Sequence, residues 1–68
     1  MSATRIVELA EDIARNLAYL PDEQSADAIA THVRSFWDPR MIAQLSAIVA
    51  ADPSAVRPTV AKAVSLLG

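Results

Sequence analysis

The sequence contains no cysteine, one histidine, one glycine and four prolines in 68 residues, and each scarcity removes a class of answer. Without cysteine there is no disulfide framework, no thiolate metal site and no thiol nucleophile, and a lone histidine cannot complete a zinc site. A single glycine excludes the glycine-rich loops that cradle nucleotide phosphates. Six basic against eight acidic residues leave a formal charge of −2 and a pI near 5.0. Such a chain has no positive field to draw in a phosphate backbone, so nucleic acid is not an expected partner. The longest uncharged run, residues 41–51, falls short of the roughly 20 residues that span a bilayer. The opening residues lack a cationic stretch followed by an apolar core, so the expectation is a soluble, cytoplasmic chain with no membrane partner.

What the sequence has in quantity is alanine. Hydrophobic residues make up 53% of the chain and 14 of them are alanine, a helix-forming composition. A chain this short is one domain at most, residues 1–68, and a lone core of its size contributes no more than about 3–5 kcal/mol net. It has no room for a self-contained enzyme of ordinary kind. The charges are unevenly placed, since only Asp52, Arg57 and Lys62 are charged after position 40.

The spacing predicts an all-α fold, a small bundle of three main helices plus a short C-terminal one. Over residues 4–20, Ile6, Leu9, Ala10, Ile13, Leu17 and Leu20 recur at helical spacing opposite Arg5, Glu8, Glu11, Asp12 and Arg15. Ser2 or Thr4 is the expected cap, and Glu11 with Arg15 forms an i,i+4 pair of favourable orientation. Pro21 breaks the chain, and Asp22 and Glu23 suit the positive end of a helix over 22–37. The apolar stripe of that helix is Ala26, Ile29, Ala30, Val33, Phe36 and Trp37, with His32 at its margin. Asp38 and Pro39 form the sharpest local signal, an N-cap aspartate followed by a proline suited to the first helical position. Helix three, 39–51, sets Met41, Ile42, Leu45, Ile48 and Val49 on one face and Ala43, Ala47, Ala50 and Ala51 on the other. That second face carries too little charge for water and is expected to be covered. Asp52-Pro53 repeats the cap logic, a turn or short helical piece follows, and a last helix covers 58–67 with Val60, Val64 and Leu67 inward.

No catalytic or metal-binding residues are assigned. The serines have only His32 as a base, and the carboxylates fall on polar faces or first turns. A carrier protein with a phosphopantetheine arm needs an Asp-Ser pair opening a helix, whereas Gln24-Ser25-Ala26-Asp27 has the wrong order. Phe36 and Trp37 are adjacent and point about 100° apart on a helix, and two large rings are hard to bury in so small a domain. One of them is expected to anchor a partner.

The run at 32–41, His-Val-Arg-Ser-Phe-Trp-Asp-Pro-Arg-Met, resembles the signature of the delta subunit family of soluble, NAD-dependent formate dehydrogenases, above all in its last six residues. Ala10-Glu11-Asp12-Ile13-Ala14, Leu20-Pro21, Pro58, Val60 and Ala63 are similar to the family's pattern, whereas Glu11, Ile42 and the glycine-free turn at Asp52-Pro53 depart from it. The resemblance implies a non-catalytic accessory subunit that binds the catalytic subunit of the complex and supports its assembly or its cofactor-loaded state. No cofactor is then expected on this chain. Molybdenum or tungsten pterin, iron–sulfur clusters and FMN belong to the partner subunits. Within this reading His32, Phe36, Trp37 and Arg40 are the expected partner contacts, with Trp37 and Arg40 foremost and Phe36 partly in the core, while Asp38 and Pro39 form a structural cap. The competing reading is a freestanding helical homo-oligomer or adaptor.

Overall fold

A computed structural model describes residues 2–67, which fold into four α-helices and one short 3₁₀ turn. Helix α1 is Ala3–Asn16, α2 Asp22–Phe36, α3 Pro39–Ala51 and α4 Pro58–Leu67, with the 3₁₀ turn at Pro53–Ala55. No strand occurs among the described residues, and the all-α expectation holds. Three helices begin one residue after Pro21, or at Pro39 or Pro58 themselves, because proline restricts the residue before it and needs no N–H in the first turn. Ser2 caps α1 by accepting from the Arg5 N–H, and Asp38 caps α3 by accepting from the Met41 N–H at 2.9 Å. Asp52 accepts from both the N–H and the hydroxyl of Ser54, starting the 3₁₀ turn.

The first helix is shorter than its apolar spacing predicts. It ends at Asn16, where Leu17 shares its N–H between the carbonyls of Ile13 and Ala14, and residues 17–20 turn instead. Pro21 forces this, since Leu20 before it avoids helical geometry and the chain must reverse to begin α2 at Asp22.

Among the described residues the buried apolar side chains larger than alanine are Ile6, Ile29, Val33, Leu45, Val49, Val56 and Val60. Five alanines, Ala10, Ala14, Ala26, Ala30 and Ala63, complete the core and let the helix axes approach closely. The most extensive packing is between α2 and α4, which contribute Ala30, Val33, Val60 and Ala63 to the core. Val56 and the 2%-exposed Ser25 join the interior although neither lies on a predicted stripe.

Glu11 corrects a second expectation. Its carboxylate does not pair with Arg15, which bonds Asp12 instead; it reaches 46 residues along the chain to accept from the Arg57 N–H at 2.9 Å and Nε at 2.7 Å. The pair ties α1 to the start of α4, where Arg57 offers its carbonyl to Val60 and Ala61. Glu11→Ala is expected to cost about 1–2 kcal/mol, since two charge-assisted bonds at a partly exposed site are lost. Thermal unfolding should show a drop of about 5–10 °C for that loss. Glu11→Gln, which retains an acceptor for the backbone N–H, should lose less than half as much, and equal losses would show that the charged guanidinium contact carries the whole effect and the backbone N–H bond none of it.

Candidate docking site

The junction of α2 and α3 is built from two consecutive extended residues. Trp37 (φ −91°, ψ 145°) ends α2 while its N–H still bonds the Val33 carbonyl, and Asp38 (φ −78°, ψ 163°) opens α3. At about 100° per residue, Trp37 follows the Ala26, Ala30 and Val33 side of the buried stripe and Phe36 its Ser25 and Ile29 side. Trp37 packs against the core, half-buried, and Phe36 is 75% exposed. The expected roles are exchanged: Phe36 is the projecting ring and Trp37 the interior one.

His32 sits one turn before Phe36 and is exposed rather than packed into the stripe. The two rings stack with centroids 4.8 Å apart at an interplanar angle of 38°. Arg40, in the first turn of α3, is exposed and makes no hydrogen bond or ion pair among the described residues. Of the four expected contact residues the structure thus brings His32 and Phe36 together, sets Arg40 on the far side of the two-residue junction, and turns Trp37 inward.

Beyond the junction, Ala43, Ala47, Ala50 and Ala51 on the outer face of α3 are all exposed. Nothing in the described chain covers this face, and Arg40 is the only charged residue within α3. Leu66 on α4 is 41% exposed.

The other concavity is an open groove of about 330 Å³ between α1, α2 and α4, lined by Ala14, Leu20, Asp22, Ser25, Arg57 and Thr59 among others. It offers little chemistry. Ser25 is 2% exposed, too deep to carry a prosthetic arm, which adds a geometric objection to the carrier-protein reading. Seven residues separate it from His32, a rise of about 10.5 Å along the helix, so no serine–histidine pair forms. Asp22 and Glu23 at the mouth of this end of the molecule oppose an anion. No group of three or more histidine, cysteine, aspartate or glutamate side chains among the described residues is placed to hold a metal ion.

A family model described as "NADH-dependant formate dehydrogenase delta subunit FdsD" matches residues 5–64, most of the chain and all of the junction. No curated protein and no solved structure matches it.

Proposed function

Because the chain belongs to the delta subunit family of NADH-dependent formate dehydrogenases, we propose that it is a non-catalytic accessory subunit that docks on the catalytic subunit and supports its assembly or cofactor-loaded state. The observation that carries the docking reading is Phe36, a large ring 75% exposed and in contact with the exposed His32. A monomer gains nothing by exposing such a residue, and aromatic anchors flanked by arginine are the usual centres of binding energy. His32, Phe36 and Arg40 form the contact end, and Trp37 supports it from beneath.

Catalysis is assigned to the partner subunits. An iron–sulfur cluster needs thiolates and the chain has no cysteine, and its single histidine is exposed and stacked on Phe36, so the residues present do not fit such a group. The pterin-bound molybdenum or tungsten and the FMN are likewise assigned to other subunits. Cytoplasmic location is part of the same proposal; among the described residues no helix is long and apolar enough to cross a membrane.

Copurification tests this reading. With the chain tagged and coexpressed with the other subunits, Phe36→Ala is expected to reduce the retained catalytic subunit by about 30-fold or more in affinity, the effect of losing a central aromatic anchor. Its circular dichroism should be unchanged. Undiminished retention would remove Phe36 from the interface, and a stable self-dimer that retains no larger partner would favour the homo-oligomer reading.

A further inference from the structure

The charges of the described residues sort by what each does for the fold. Arg5, Arg15 and Arg57 pair with Glu8, Asp12 and Glu11, all on α1. Arg34 stands in the last turn of α2, where a cation complements the negative end of the helix, and it donates to the Leu66 carbonyl at 3.3 Å. Asp22 and Glu23 complement the positive end of the same helix. Asp38 and Asp52 are caps.

Asp27 and Lys62, exposed in the middle of α2 and α4, have no ion pair among the described residues and oppose no helix end, whereas a different position belongs to Arg40. It is the second residue of α3, at the positive end of that helix, where a cation is disfavoured. Its side chain is exposed and has no partner among the described residues, and the nearest carboxylate along the chain, Asp38, is engaged by the Met41 N–H. An arginine that opposes its own helix and gains nothing from its own chain acts outside it. Four residues separate it from Phe36, so their Cα atoms lie within about 14 Å of each other. A standard interface covers about 800 Å² per partner, roughly a fifth of the 4167 Å² of this chain, and holds both residues easily. Across 28–51 the charged residues are Arg34, Asp38 and Arg40, a surplus of one positive charge in a chain whose formal charge is −2.

We propose that Arg40 meets a carboxylate on the catalytic subunit, at the acidic rim of the apolar surface that receives Phe36. The proposal rests on the docking reading above. It makes the occupant of this face a patch of opposite charge, with Phe36 supplying residence time and Arg40 steering the encounter.

The test uses the full chain and the enzyme complex purified without it, with association followed at about 20 mM and about 0.5 M salt, where screening is weak and strong respectively. Arg40→Glu is expected to slow association about tenfold at low salt, with the difference collapsing at high salt. Phe36→Ala should instead speed dissociation at both. The midpoint temperature of isolated Arg40→Glu should rise by about 3–8 °C, because glutamate suits the start of a helix. Arg40→Gln, which removes the charge without adding one, should give a loss of about threefold in association rate at low salt. Unchanged low-salt association of both Arg40 variants beside a weakened Phe36→Ala overturns the Arg40 assignment and leaves the docking reading standing. A fall in midpoint temperature for both Arg40 variants overturns it by giving Arg40 a structural role. If Phe36→Ala also binds normally, the docking reading itself fails.

Discussion

Ile29→Ala is expected to leave the isolated chain largely unfolded, with helical circular dichroism lost at room temperature. Ile29 is 1% exposed and is one of seven buried apolar side chains larger than alanine among the described residues. Truncating a buried isoleucine costs about 2–5 kcal/mol. A core of this size supplies about 3–5 kcal/mol in total, so the substitution removes most or all of the margin. A partner that binds only the folded form returns part of that loss, about 2.7 kcal/mol at a concentration a hundredfold above its dissociation constant. The same variant should therefore be recovered folded when coexpressed with the other subunits. A variant that keeps its helicity alone would show that the isolated core has more reserve than its size allows.

Trp37→Ala is expected to lower stability by about 2–3 kcal/mol, since a half-buried indole packed on the core loses both transfer energy and contacts. Thermal unfolding should register a fall on the order of 10 °C or more. The sequence alone suggests the opposite assignment, a Trp37→Ala variant with intact helices and weak binding. With the rings placed as they are, that behaviour belongs to Phe36→Ala, and the two variants together form a matched pair. Equal thermal effects of the two would contradict the division between an interior and a projecting ring.

Much of the fold is legible in the punctuation of the sequence. Pro21, Pro39 and Pro58 mark three helix starts, and α3 and α4 have the predicted limits because proline geometry is local and strong. The end of α1 was obscured because Leu17 and Leu20 keep the helical spacing while Pro21 has already committed the chain to a reversal. The partner of Glu11 was out of reach, since spacing rules describe neighbours within a turn or two and Arg57 lies 46 residues away. For the candidate site, the pattern showed that two adjacent rings compete for the core, and the structure buries Trp37 where Phe36 was expected to be partly interior. Helical angles do not separate the two rings, since Trp37 follows Ala26, Ala30 and Val33 while Phe36 follows the equally buried Ile29. Which of the two rings is left exposed is decided by the tertiary arrangement around the end of α2, where α4 approaches at Arg34 and Leu66. The bare outer face of α3 was visible as a lack of charge. That nothing within the described chain covers it required the structure.

The central claim is that the C-terminal end of α2, around Phe36, is where this subunit meets the catalytic subunit. A photoreactive phenylalanine analogue placed at position 36 in the assembled complex tests it most directly, with a second complex carrying the analogue at exposed Glu8 on α1 for comparison. Position 36 should yield a crosslink to the catalytic subunit that mass spectrometry identifies, while position 8 should yield little or none. Crosslinking to the catalytic subunit from position 8 alone, or crosslinking of position 36 only to a second copy of this chain, would contradict it.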